Sequence, residues 1–295
     1  MARPFIRFAA WMGAASAVAL LVAPNFPSLL NGAVSDNFGT VLPAVPFGAL
    51  LAVLFMLRWK DLRDVLESER GIATEVPIRL LGAGILASLL LLRGFSTQSV
   101  YLSAVVVIFA FYGTSLVLNP LTMRMTLPYA LIYSVGITAP AFLQWGLGEP
   151  LAALSSTLSA KIIAFAGMPL TWYGNQFEFV SKTGETIAAT VTPGCSSIVS
   201  VTTFLGLLAL MHMDLRKDLS STVKLGLVGV ATLTILNAVR IAVLVWIGYS
   251  EGAAAFWAFH NWIGYALFTA FYLAALMVYS RLGVVARPVT MGGTR

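Results

Sequence analysis

Residues 223–248 read VKLGLVGVATLTILNAVRIAVLVWIG, an apolar run that is interrupted past its middle by Asn237 and Arg240. A helix needs about 20 mainly apolar residues to cross the hydrocarbon core of a bilayer, so this run predicts a transmembrane helix. An arginine inside such a helix costs roughly 2.5–3.5 kcal/mol on insertion scales. The same run therefore indicates a class of protein and marks Arg240 as a candidate functional residue.

The composition extends this interpretation to the whole chain. Of its 295 residues, 59% are hydrophobic and only 10% are charged, whereas soluble domains contain about 25% charged residues. Further long apolar runs predict an all-α polytopic membrane protein with about eight transmembrane helices. The predicted spans are 5–24, 40–57, 78–92, 99–118, 128–147, 197–213, 223–248 and 257–280.

The distribution of lysine and arginine predicts the orientation, because cytoplasmic loops carry an excess of both. With the N-terminus inside, only Arg93, Lys161 and Lys182 fall outside, Arg240 falls in a span, and every other lysine and arginine falls inside. The predicted topology is N-in and C-in, in the cell (plasma or inner) membrane. Because the basic residues lie in loops between spans, the net charge of +6 does not indicate nucleic-acid binding.

The predicted organisation has three parts. A transmembrane region, 1–127, precedes a core, 128–281, that contains the candidate functional residues, and a cytoplasmic tail, 282–295. The core includes a small extracytoplasmic cap, 149–196, which is the longest segment predicted outside.

Within this cap, two kinds of local structure are expected. Residues 151–167 have a polar face of serines and Lys161, which suits a helix lying in the membrane interface. The β-prone runs 171–180 and 185–191 are joined by Ser-Lys-Thr-Gly, a pattern that predicts a β-hairpin. The cap is thus expected to lead the chain to Cys195.

Cys195 is the only cysteine, in Thr-Pro-Gly-Cys-Ser-Ser-Ile at 192–198. One cysteine makes no internal disulfide and no multi-cysteine metal site. No metal or organic cofactor is expected. Pro193 and Gly194 predict a turn, after which Cys195 and Ser196 are expected to begin a helix whose N-terminus favours a thiolate. Gly194 would let a substrate backbone approach closely. A lone cysteine is more often a small buried apolar residue, so neighbouring groups must decide its role.

Arg240 lies in the outer half of its predicted span, and no acidic residue lies clearly within a span. It either extends to the outer interface and binds backbone carbonyls, or it awaits an anion that forms during a reaction. Asn237 shares its helix face and could hold the guanidinium or donate to the same oxyanion.

The chain has two histidines at opposite ends of the predicted spans. His212 lies at the cytoplasmic end of its span, where an interface role is expected. His260 lies at the outer end of the last span, between Trp257 and Trp262. It is either a neighbour of an aromatic belt or, with Cys195 at the same depth, a general acid and base.

These residues resemble the exosortase/archaeosortase family of polytopic membrane transpeptidases. The resemblance rests on Cys195-Ser196-Ser197-Ile198, on Asn237-Ala238-Val239-Arg240-Ile241, and on His260 with Gly264 following. The stretch Leu158–Gly174 also looks like the family core, so the resemblance covers roughly 150–270. Ser197 stands where the family usually has glycine, which indicates a divergent subgroup.

The resemblance implies a cysteine transpeptidase. Cys195 would be the nucleophile, Arg240 the oxyanion stabiliser and His260 the acid and base, supported by Asn237 and Ser196. It also implies partners: membrane-anchored secreted proteins that end in a short motif, a hydrophobic span and a basic tail. These would be cleaved at the outer face and transferred to an acceptor through a thioester.

Three alternatives remain open at this stage. The chain could be a transporter or channel with Arg240 at an anion site. It could be an intramembrane protease that hydrolyses without transfer, or an inactive family member acting in surface-polymer assembly.

Overall fold

The computed structural model describes residues 2–23, 56, 59–60, 63–64, 76–91, 100–118, 120–215 and 217–282. The predicted span 40–57 lies outside these residues except for Met56, and the predicted tail 282–295 lies outside them except for Leu282. The chain divides into two compact units, residues 1–145 and 146–295.

The first unit is helical where it is described. It contains α1 (Ala2–Val22), α2 (Val76–Leu91), α3 (Val100–Leu118) and the beginning of α4 (Pro120–Phe165). A Cβ atom on Gly82 of α2 would lie 2.7 Å from the carbonyl oxygen of Gly113 on α3. The two helix backbones therefore approach closely, as small residues allow in membrane helix pairs.

The second unit combines helices with a small sheet. Its elements are the rest of α4, β1 (Thr171–Tyr173), β2 (Gln176–Val180), β3 (Thr186–Thr190), a short 3-10 helix (Pro193–Cys195), α5 (Ile198–Leu215), α6 (Leu219–Glu251) and α7 (Ala253–Arg281).

The sheet is antiparallel with the order β1-β2-β3. The predicted first run, 171–180, is divided after Tyr173 into β1 and β2, and β2 and β3 form the predicted hairpin. Alternate residues of the hairpin, including Phe177, Phe179 and Ile187, are buried in a cluster with residues of α4, α6 and α7. This alternation of buried and exposed residues is what a sheet with one covered face requires.

The hairpin turn is tied to the junction between α6 and α7. Lys182 donates its backbone N–H to the carbonyl of Tyr249 at 2.8 Å. The Glu185 carboxylate accepts from the backbone N–H of Ala253, the first residue of α7, at 2.8 Å. Gly252 between the helices has a φ of 89°, which glycine adopts without strain. The sheet and the start of α7 are therefore held together.

Helix α4 differs from the prediction. The sequence predicted a span at 128–147 and a separate interfacial helix at 151–167, but α4 is continuous from Pro120 to Phe165. The serines of the predicted polar face, Ser155, Ser156 and Ser159, are fully buried rather than interfacial. They are buried because each bonds within the fold; Ser159, for example, donates to the carbonyl of Ala238 on α6 at 3.1 Å.

Three helices among the described residues are long and apolar enough to cross a membrane by length and composition: α5, α6 and α7. Shorter apolar helices occur at Gly13–Val22, Val76–Leu91 and Val105–Leu118. The described part of the chain is therefore mostly helical with three candidate spans, and the predicted count of eight is not confirmed.

Candidate active site

Cys195 lies on the segment that joins the sheet to α5. It ends the short 3-10 helix, where its backbone N–H donates to the carbonyl of Thr192 at 2.9 Å. Helix α5 begins only at Ile198, so the expectation that Cys195 starts a helix is wrong by one turn. The turn Pro193-Gly194 was predicted correctly, since both residues belong to the 3-10 helix.

The turn that presents Cys195 is fixed from within. The Ser196 hydroxyl donates to the carbonyl of Pro193 at 2.6 Å and is buried. Gly148 on α4 lies against Pro193, because a Cβ atom at Gly148 would be 2.7 Å from the proline ring. Gly194 is exposed, and a Cβ there would meet only the Thr192 hydroxyl, at 3.7 Å. The backbone beside the thiol is therefore accessible.

Asn237 holds the cysteine from α6. Its side-chain Nδ2 donates to the carbonyl of Cys195 at 3.0 Å and to the hydroxyl of Ser155 at 3.2 Å. The side chain is fully buried. Both amide hydrogens are thereby used, so this geometry favours the supporting role over donation to an oxyanion.

His260 reaches the thiol from α7. Its Nε2 lies 3.9 Å from Cys195 Sγ, the distance of a long hydrogen bond to sulfur. Its ring lies against Phe256 and Trp257, with centroids 6.0 and 5.7 Å away. His260 thus borders the aromatic pair and also contacts the cysteine, so its position is compatible with either of the roles that the sequence left open.

Arg240 extends from α6 to α7. Its Nη2 donates to the carbonyl of His260 at 3.0 Å. Gly264, one turn after His260, leaves room for the side chain, because a Cβ there would lie 2.9 Å from Arg240 Nε. Within the described ranges, no carboxylate forms an ion pair with Arg240. Its guanidinium is therefore placed by a backbone carbonyl and a glycine rather than by an opposite charge.

Three buried polar atoms at this site have no hydrogen-bond partner in the described part of the chain: Asn237 Oδ1, Arg240 Nε and His260 Nδ1. Buried polar groups in folded proteins are nearly always paired, so unpaired ones call for an explanation. The Nε–H of a guanidinium whose Nη2 is already bonded is a positioned donor. It suits an oxygen that gains negative charge during a reaction.

The same groups set the acidity of the thiol. Burial raises the pKa of Cys195, but hydrogen bonds with His260 and Thr192 and the positive charge of Arg240 lower it more. The resulting pKa is about 7, below the ordinary value for cysteine. The sequence attributed thiolate stabilisation to a helix N-terminus, whereas the structure attributes it to these side chains.

A pH series tests this acidity. Because the thiolate is the reactive form, alkylation of Cys195 by a membrane-impermeant maleimide should accelerate as pH rises through about 7. In a His260→Ala variant, loss of the hydrogen bond should move the rise to higher pH. The chain has no other cysteine, so the label reports this residue alone. An identical profile for parent and variant would contradict the assignment.

His212 lies elsewhere. Its Nδ1 pairs with the hydroxyls of Tyr279 at 3.1 Å and Thr222 at 3.2 Å. It connects the end of α5 with α6 and α7, and the candidate site contains His260 instead. Among the described residues, no group of His, Cys, Asp and Glu could hold a metal ion.

Two contacts of the site were missed from the sequence. Thr192 helps to lower the pKa of the thiol, and Ser155 bonds Asn237 across 82 positions of chain. The Thr192 contact was open to prediction, since it lies on the same turn as Cys195. The Ser155 contact had no local signal.

Residues 34–278 match the family described as transmembrane exosortase (Exosortase_EpsH). No curated protein and no solved structure matches the chain.

Proposed function

Because the chain belongs to the transmembrane exosortase family, we propose that it is a cysteine transpeptidase that cleaves C-terminal sorting signals of exported proteins. The observation that carries this proposal is the approach of Cys195 Sγ to His260 Nε2 at 3.9 Å, beside a guanidinium that bonds the carbonyl of the same histidine. A nucleophile, a proton carrier and a fixed positive charge are the groups that acyl transfer requires.

The first half of the reaction makes a thioester. The Cys195 thiolate attacks a substrate peptide carbonyl, forming the S–C bond and placing negative charge on the carbonyl oxygen. The Arg240 guanidinium donates to that oxygen. The C–N bond then breaks, and imidazolium His260 gives its proton to the leaving amine.

The second half releases the product. The acceptor nucleophile attacks the thioester carbonyl while His260 removes its proton. Arg240 stabilises the second oxyanion, and collapse expels the Cys195 thiolate. If water is the acceptor, the same steps hydrolyse the substrate.

The remaining predicted residues position these groups. Asn237 fixes the Cys195 carbonyl, Ser196 fixes the turn, and exposed Gly194 gives the substrate backbone room. We place the site at the outer face of the cell membrane. Its substrates are membrane-anchored secreted proteins whose C-termini carry a motif, a span and a basic tail.

Arg240 supplies the test of this proposal. The assay uses an exported reporter that ends in the motif, span and tail of a protein from the same proteome. Arg240→Ala should slow its processing about 10²–10³-fold, the usual cost of deleting an oxyanion donor. Arg240→Lys should restore little, because lysine lacks the planar fork. Both variants should insert into the membrane. Arg240→Ala removes a charge that opposes insertion, and Arg240→Lys leaves the charge unchanged. If the variant proteins were depleted from the membrane but the remaining molecules processed the reporter at the parent rate, this role would be contradicted.

Gly264→Ala examines the same role without touching the charge. The added methyl group would meet Arg240 Nε at 2.9 Å and displace the guanidinium. Misplacement by about 1 Å can cost up to about 10²-fold in rate. Gly84→Ala is the matched control, because nothing lies within 4 Å of the position a Cβ would take there. Equal processing by the two variants would count against a positioned Arg240.

A further inference from the structure

Strand β3 has one edge paired and one edge free. It pairs with β2 in a register that sets Ile187 opposite Phe179 and Ala189 opposite Phe177. The bonds Ser181 N–H to Glu185 O and Val191 N–H to Asn175 O flank the ladder at 2.8 Å each. In an antiparallel ladder, bonded and non-bonded pairs alternate. Glu185 and Val191 both lie in bonded pairs. Ile187 and Ala189, at every second position between them, therefore also lie in pairs that bond to β2.

The alternate residues of β3 therefore direct their backbone groups away from β2. These residues are Thr186, Ala188 and Thr190, and all three are exposed. Within the described ranges, none of their N–H or C=O groups has another hydrogen-bond partner. The free edge thus offers three donors and three acceptors in a row.

This edge also lacks the features that usually protect a strand. Native edge strands are blunted by lysine, proline, bulges or very short length. Strand β3 reads Thr-Ile-Ala-Ala-Thr, with no charge and no proline. The opposite edge of the sheet, formed by β1, is much shorter. Strand β1 has three residues, and of these only Trp172 directs its backbone groups away from β2. The unprotected edge of the sheet is therefore that of β3.

Both ends of β3 lie next to parts of the candidate site. Four residues after the strand ends at Thr190, the chain reaches exposed Gly194 and then Cys195. Before the strand begins, Glu185 bonds the first residue of α7, the helix that carries His260. An extended peptide lying along β3 would therefore lie beside the segments that carry Cys195 and His260.

We propose that the free edge of β3 binds the extended segment of the substrate by adding it to the sheet as a fourth strand. This inference rests on the proposed function, because the occupant is a peptide whose carbonyl must reach Cys195. Backbone pairing supplies affinity that does not depend on sequence, as in other cases of strand addition. The small side chains of Thr186, Ala188 and Thr190 leave room for those of the substrate.

Disulfide cross-linking tests the pairing without any turnover. In a Cys195→Ala background the protein is free of cysteine, and Ala188→Cys introduces one thiol at the free edge. The exported reporter carries single cysteines at successive positions before its span. Strand pairing predicts cross-links at alternate reporter positions, because side chains in a strand alternate between faces. Moving the thiol to Thr190→Cys should shift this pattern by two reporter positions.

Thr171→Cys is the matched control. Thr171, Glu178 and Ala188 form one row across the sheet, so Thr171 is exposed on the same face at the opposite edge. It should cross-link little. Equal cross-linking at both edges, or no alternation, would overturn the proposal. Cross-linking with alternation, together with a parent protein that keeps Cys195 and still processes no reporter, would uphold the docking edge and refute the proposed function instead.

A second variant measures the same pairing through processing. Ala188→Pro removes one outward N–H while leaving the bonds to β2, since edge strands tolerate proline where the N–H faces away. Losing one such bond should lower processing about two- to tenfold. Ala188→Ser keeps the N–H and should process at the parent rate. If Ala188→Pro also processes at the parent rate, the substrate does not pair with this edge.

Discussion

Cys195→Ala and Cys195→Ser are both expected to abolish processing of the exported reporter. Alanine removes the nucleophile, and serine replaces a thiol of pKa about 7 with a hydroxyl that does not ionise near neutral pH. Both substitutions are small and lie on a half-buried turn, so the variant proteins should remain in the membrane. The measurement is the ratio of mature to full-length reporter, with the amount of enzyme in the membrane as its control.

The outcome that contradicts this prediction is specific. Normal maturation of the reporter in a strain that makes only the Cys195→Ala protein would exclude a cysteine mechanism. Two results together would support it. Cys195→Ser stops maturation of the reporter, and the pH at which Cys195 of the parent becomes reactive toward maleimide moves upward in His260→Ala.

His260→Ala is expected to slow processing about 10²–10⁴-fold, the range that general acid–base catalysis contributes. Two effects act together: the leaving amine loses its proton donor, and the thiol loses the hydrogen bond that helps to lower its pKa. The rate should therefore recover only in part at higher pH, because a more abundant thiolate does not replace the missing acid.

The chain provides a matched control for this variant. His212→Ala removes the other histidine, which bonds the Tyr279 and Thr222 hydroxyls and not the cysteine. Processing by His212→Ala should match the parent. An essential His212 with a dispensable His260 would show that the site has been assigned to the wrong histidine.

The sequence was sufficient to select three candidate residues that the structure brings together. Cys195, Arg240 and His260 are each unusual for their local surroundings, and their predicted depths coincided. The structure brings Cys195 next to His260 and bonds Arg240 to the carbonyl of His260. The family match over 34–278 confirms the resemblance and extends it into the region before 150, where only generic spans were recognised.

The contacts that support the site were harder to predict from the sequence. Asn237 was predicted to support the site, but its bond to the Cys195 carbonyl depends on how α6 packs against the turn. Ser155 was assigned to a polar face directed toward the membrane interface. The spacing of polar residues along a helix does not distinguish a face that contacts water from a face that bonds a buried partner. In the structure that partner is Asn237. Such contacts arise from tertiary packing, which local periodicity does not encode.

Helix α4 shows a second kind of difference. The sequence predicted a span ending at 147 and a separate interfacial helix beginning at 151, on either side of Gly148 and Pro150. The helix continues because the fixed φ of proline is itself close to helical, so one proline removes a hydrogen bond without ending the helix. The hairpin was predicted well, since its Gly184 has the positive φ that the turn requires.

Intact-mass analysis of the enzyme during processing tests the central claim most directly. When the enzyme is incubated with the exported reporter and the acceptor is limiting, a thioester between Cys195 and the carboxyl end of the cleaved reporter should accumulate. Hydroxylamine should release this adduct, and the Cys195→Ala protein should never form it. Processing of the reporter at the parent rate with no hydroxylamine-sensitive adduct on Cys195 would contradict the account.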